Sequence, residues 1–210
     1  MSKRNIRSSY ILIGLLALFF IPAPSSAQLD TSWTLKRDKK NVKVYTRSHP
    51  DFGLDEFKGE SIIPFHIDKV LKVLKSPEKM PQWVPDCEYA KLEEKTVEGQ
   101  LHYTVTDLPF PLSNRDAYIE MVFHITKDGY LIRVEGLPKY KPEENGLVRI
   151  PYLKGFWKLT MLEGNKTKVT YQIQADPGGA IPTWLANATA VSTPYNTILN
   201  LQEFIKSEFD

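Results

Sequence analysis

The chain has 210 residues, 42% of them hydrophobic, with 27 Lys or Arg against 25 Asp or Glu and a formal net charge of +2. So small a charge supplies no net basic field for nucleic acid, and the single cysteine, Cys87, excludes a disulfide within the chain. The fold must rest on its own apolar core, for which this length suffices.

In chain order, Lys3, Arg4 and Arg7 precede an apolar run from Tyr10 to Ile21 and the small, proline-containing stretch Pro22 to Ala27. That is the three-part layout of a secretory signal peptide. A transmembrane helix needs about 20 apolar residues, so this run is too short to span, and Ser25 and Ala27 supply small residues for cleavage after Ala27. Residues 1–27 are read as a leader and the rest as exported to the periplasm or beyond; the alternative is an uncleaved N-terminal anchor. Losing three of the 27 basic residues leaves 24 against 25 acidic ones, a net charge of −1.

Short strands with turn residues between them are expected over Trp33–Asp38, Val42–Arg47 and Leu54–Ile63. From Phe65 to Lys75 the apolar positions Ile67, Val70, Leu71 and Leu74 recur at helical spacing. Ser76-Pro77-Glu78 then starts a second short helix that Pro85 ends. A meander of strands follows at Tyr89–Lys95, Leu101–Asp107, Arg115–Lys127, Tyr130–Glu135, Leu147–Leu162 and Lys168–Ala175. In its last member Val169, Tyr171, Ile173 and Ala175 alternate with Lys168, Thr170, Gln172 and Gln174, so one sheet face is expected covered and the other wet. Finally Trp184, Ala188, Val191, Tyr195, Ile198, Leu201 and Ile205 step by three or four residues along a long C-terminal helix, which Pro194 is expected to bend or split. No linker or repeat interrupts the chain after residue 30, which predicts one domain over residues 32–209.

This order, and two segments within it, resemble START (StAR-related lipid-transfer) domains of the helix-grip superfamily. Asp107-Leu108-Pro109-Phe110-Pro111-Leu112-Ser113-Asn114-Arg115-Asp116 is similar to the proline-containing approach to the Arg-Asp pair of bacterial START-like proteins. Asp176-Pro177-Gly178-Gly179-Ala180-Ile181-Pro182-Thr183-Trp184-Leu185-Ala186-Asn187 is similar to the family's turn from last strand into terminal helix. The resemblance implies an α+β fold in which a curved antiparallel sheet grips the C-terminal helix, enclosing a tunnel for a lipid or other hydrophobic molecule.

On that footing Tyr103, Met121, Trp157, Tyr171, Ile173, Trp184, Ala188, Val191, Tyr195 and Ile198 are the candidate ligand wall, or else ordinary core. His102 and Tyr103 face opposite ways on one strand, and Tyr103 is taken as the inward one by its match with Leu101 and Val105. The resemblance makes Arg115 the polar anchor for a carboxylate or phosphate; the alternative is an ion pair with Asp116 or Asp107. The bend at Pro194 suggests a lid made by the terminal helix and the loop Pro138–Gly146.

Catalytic motifs are missing from the sequence. His49, His66, His102 and His124 include no pair at helical ligand spacing, so no metal is expected, and neither a Gly-x-Ser-x-Gly nor a phosphate-binding glycine loop occurs, so no cofactor is implied. Related helix-grip folds include cyclases and hydratases with scattered polar groups, so an enzyme on a hydrophobic substrate stays open, as does a protein-interaction module. The reading favoured is a monomeric, non-enzymatic lipid carrier that touches membranes transiently and does not bind nucleic acid.

Overall fold

The computed structural model describes residues 32–48, 54–179 and 181–210; the leader reading and His49 lie outside them. The strands are β1 (Thr34–Lys39), β2 (Val42–Ser48), β3 (Asp55–Ile63), β4 (Cys87–Lys95), β5 (Gly99–Thr106), β6 (Arg115–Thr126), β7 (Gly129–Gly136), β8 (Val148–Arg149), β9 (Tyr152–Leu162) and β10 (Lys166–Asp176). Helix α1 (Ile67–Leu74) and a 3-10 segment (Pro77–Gln82) follow β3, and α2 (Thr183–Phe209) closes the chain. The sheet runs β1-β2-β3-β10-β9-β7-β6-β5-β4, antiparallel throughout except for β8, which pairs parallel with β6.

Its concave face carries the main core. Val70 and Leu74 of α1, Ile63, Ile132, Leu159, Val169, Ile173 and the C-terminal half of α2 through Leu201, Phe204 and Ile205 form one buried cluster. Burial of each such side chain contributes about 1.5–3 kcal/mol. Beside it, Val42 and Val44 of β2 pack on Tyr195 and Ile198. Gly59 lets α2 approach β3, because a Cβ there would lie 2.5 Å from Ile198 Cδ1 and 3.5 Å from Pro194 Cβ. Pro194 is buried in that contact, and α2 continues through it without splitting, since the loss of one amide donor is outweighed by packing on both sides.

Two expectations change. The strand drawn as Leu147–Leu162 is broken at Ile150-Pro151 into β8 and β9, because Pro151 has no N–H and Arg149 turns inward to Asp116. The convex face is also not wet throughout. Over β5 and β6, Leu101, Tyr103, Val105 and Tyr118 form a buried cluster with Leu137 and Leu147. The loop between β7 and β8 lies over this patch. Arg149, itself buried, donates to both Asp116 carboxylate oxygens at 2.9 and 2.8 Å and to the carbonyls of Pro138, Lys141 and Pro142 at 3.0–3.2 Å. All five guanidinium N–H groups are thereby satisfied.

Candidate functional site

Between the concave sheet face and the first half of α2 lies a cavity of about 260 Å³. Its sheet side is Phe57 of β3, Thr104 of β5, Ala117 and Ile119 of β6, Leu153 of β9 and Tyr171 and Ile173 of β10. Met80, Val84 and Cys87 close it below, and Ala186, Asn187, Thr189, Ala190 and Thr193 of α2 form its roof. A deeper chamber of about 80 Å³ shares Met80, Val84, Ile119, Leu153, Tyr171 and Ile173 with the first and adds Leu74, Trp83, His102, Met121, Val134, Trp157 and Thr197. Trp157 and Tyr171 stack at 3.9 Å in its wall, with Trp83 edge-on to Trp157 at 6.3 Å.

The space exists because the roof residues are small. Ala186, Ala190, Thr193 and Thr197 recur at spacings of four and three, so one helix face presents short side chains where a core would need large ones. The stripe read from sequence lies on another face. Val191, Tyr195 and Ile198 pack toward β2, Ala188 is exposed, and Trp184 is 73% exposed. Of the candidate wall, Met121, Trp157, Tyr171 and Ile173 line the cavity; Trp184, Ala188, Val191, Tyr195 and Ile198 do not.

Tyr103 also lies elsewhere. Pairing of β5 with β6 places His102 opposite Ile119 on the concave side and Tyr103 opposite Tyr118 on the convex side. Tyr103 packs on Tyr118 with ring centroids 4.8 Å apart and the rings tilted by 41°, and burial followed by the Asp116 carboxylate pushes its phenol up. The apolar alternation Leu101-Tyr103-Val105 was thus a true signal of a covered face, but of the convex patch under the β7–β8 loop. That same fastening takes the loop Pro138–Gly146 away from any role as a lid.

Arg115 is buried behind the cavity and absent from its lining. Its Nε and Nη2 donate to the carbonyls of Pro177 and Gly178 at 3.2 and 2.9 Å, and Nη1 to that of Ser113. Among the described residues it has no carboxylate partner; Asp116 is held by Arg149 instead. Desolvation lowers the Arg115 pKa. Arg115 therefore fixes the Pro177-Gly178 turn that launches α2, and Gly178 and Gly179, both at φ +66°, allow the chain to fold over its guanidinium.

The site is electrically quiet. Asp55, at the rim, is the only Asp, Glu, Lys or Arg among the lining residues described. Burial pushes His102 down to about 4, so its imidazole is neutral at pH 7, and pushes the Cys87 thiol up to about 11 and the Tyr171 phenol up. The described residues contain no group of three His, Cys, Asp or Glu able to hold a metal. Such a lining can solvate apolar surface and offer a few neutral hydrogen bonds. Sequence reasoning missed His102, Trp83 and the Ala/Thr face of α2; the small-residue repeat on that helix was the available signal.

The START domain model matches residues 27–199. An uncharacterised protein of Pseudomonas aeruginosa is 34% identical over 175 residues, covering 83% of this chain and 87% of that protein. Phosphatidylcholine transfer protein of Rattus norvegicus is 31% identical over 170 residues, 75% of this chain and 76% of its own. A crystal structure of a STAR-related lipid transfer protein fragment from Xanthomonas axonopodis superposes with a TM-score of 0.78 at 39% identity, covering 83% of this chain and 98% of that one. With its meander, its grip on α2 and the cavity between them, the chain belongs to the START domain family.

Proposed function

We propose that this domain binds a lipid or similar hydrophobic molecule in the cavity under α2 and carries it between membranes, without chemistry on it. The observation that carries the reading is the 260 Å³ apolar space roofed by short side chains. Names of related proteins, a phosphatidylcholine transfer protein and a STAR-related lipid transfer protein, support it. A benzene ring needs a cavity of about 150 Å³ and drug-sized ligands roughly 300–1,000 Å³, so the space suits one chain or ring system, and a two-chain lipid requires α2 to move outward.

Energetics favour exchange. A sixteen-carbon chain gains about 12 kcal/mol on leaving water, at roughly 0.8 kcal/mol per CH₂. From a membrane donor that term largely cancels, leaving transfer near balance. The first turns of α2 are the natural door. Trp184 and Ala188 there are exposed, whereas Tyr195, Ile198, Leu201 and Ile205 hold the far half in the core. A hydrogen bond from the Asp55 amide to Asn187 Oδ1 at 3.0 Å ties this first half to β3. The exposed Trp184 would meet the bilayer interface during exchange. The leader in residues 1–27 supports export, and the domain works as a monomer in the envelope or outside the cell.

Native mass spectrometry of the exported form, purified from its host, tests the reading. One adduct of lipid mass per chain, abolished when Ala190→Phe fills the roof, supports it, and a chain mass starting at Gln28 supports export. A clean apo mass that host lipids do not change, in a folded protein, would sink the carrier.

A further inference from the structure

β8 is two residues long and pairs Val148 with Arg115 and Arg149 with Asp116, so its ladder gives it little hold of its own. Its place is set by what fastens to it. Toward the convex face Arg149 joins the Asp116 carboxylate to the carbonyls of Pro138, Lys141 and Pro142 in the β7–β8 loop. Against its backbone lies the turn that launches α2. A Cβ at Gly178 would stand 2.9 Å from Pro151 Cδ and 3.4 Å from the Arg149 carbonyl oxygen, and one at Gly179 would stand 3.7 Å from Val148 Cγ1. Arg115, the chain neighbour of Asp116, grips the same turn through the Pro177 and Gly178 carbonyls. We propose that β8 couples the convex loop to the door: a loop held down by Arg149 keeps the Pro177-Gly178-Gly179 turn and the first half of α2 closed, and a loop lifted from Arg149 frees them. The inference rests on the reading of α2 as the door.

Two features favour such a coupling. The contact of the turn with β8 is made by backbone and a proline ring with no side chain between them, so a shift of β8 displaces the turn. The two holds also differ in strength. Arg149 grips a carboxylate, whereas Arg115 meets neutral carbonyls alone, and bonds between two charged groups are the stronger kind. The turn therefore yields while the loop remains the catch. That catch is reachable from outside, because Tyr140 is exposed and Lys141 reaches Glu93 at 2.7 Å on the surface. A partner that takes hold of the loop works the door from the face opposite the cavity.

Hydrogen exchange of the lipid-free mature chain, read by mass spectrometry, tests this in wild type, Arg149→Lys, Glu93→Gln and Asn187→Ala. Lysine keeps a charge opposite Asp116 but lacks the donors for all three loop carbonyls. The expected result is exchange about fivefold faster or more in both the loop (137–147) and the first half of α2 (184–192), with residues 198–205 unchanged. Glu93→Gln, which unties Lys141 without touching the buried pair, moves the same two segments less and carries the test if Arg149→Lys does not fold. Coupling is reciprocal, so Asn187→Ala, made at the door, must also speed exchange in the loop. A loop that loosens in Arg149→Lys or Glu93→Gln while 184–192 keeps its wild-type rate, or a loop indifferent to Asn187→Ala, overturns the coupling. Because no ligand is present, that failure leaves the lipid-binding reading standing, and a clean apo mass in the native measurement sinks that reading by itself.

Discussion

His102 shows how a single side chain reports its surroundings. Its folded pKa of about 4 lies below the ordinary value of 6.5, so between those pH values the unfolded chain binds the extra proton and the folded one does not. Stability from this group is complete above about pH 6.5 and is lost as pH falls toward 4, by about 3 kcal/mol in all. Urea denaturation at pH 7 and pH 4.5 should show this loss in wild type and not in His102→Leu. Asp116 is a second case. Removing it by Asp116→Ala strands the buried Arg149 and should cost about 3–5 kcal/mol, read from the same denaturation curves at pH 7. Neither role was visible from residue type. Arg115 and Asp116 are adjacent in sequence, which suggested a pair, but strand alternation sends them to opposite faces and their true partners sit in the β8 region and the Pro177-Gly178 turn.

At the scale of elements, the strands and helices were largely legible, because period-two and helical spacings survive wherever one face meets a core. Reading failed where a face meets something other than core. On α2 the large apolar residues mark packing against β2, while the cavity is marked by small ones, and a search for large hydrophobic residues finds the wrong face. On β5 the covered convex patch mimicked the covered concave one. The break between β8 and β9 carried one local mark, Pro151, but its other cause, the pairing of Arg149 with Asp116 33 residues away, is encoded by no local pattern. The behaviour of α2 can be checked directly. Asn187→Ala removes its hydrogen bond with the Asp55 amide of β3, so lipid exchange between vesicles should accelerate about twofold to tenfold with little change in stability.

For the whole molecule, a sheet that grips a helix instead of closing on itself keeps two free margins, β1 and β4. Unpaired strand margins are templates for joining a second chain. Both margins are studded with charge: Lys36, Arg37, Asp38 and Lys39 on β1, and Glu88, Lys91, Glu93, Glu94 and Lys95 on β4. On β4, Glu93 is further locked between Lys91 and Lys141, each at 2.7 Å. Replacing Lys36 and Lys39 together by Val should leave the cavity intact yet produce concentration-dependent self-association in sedimentation velocity. The open sheet that makes room for a guest therefore also makes strand-to-strand aggregation the characteristic hazard of this fold, and the charged borders are its protection.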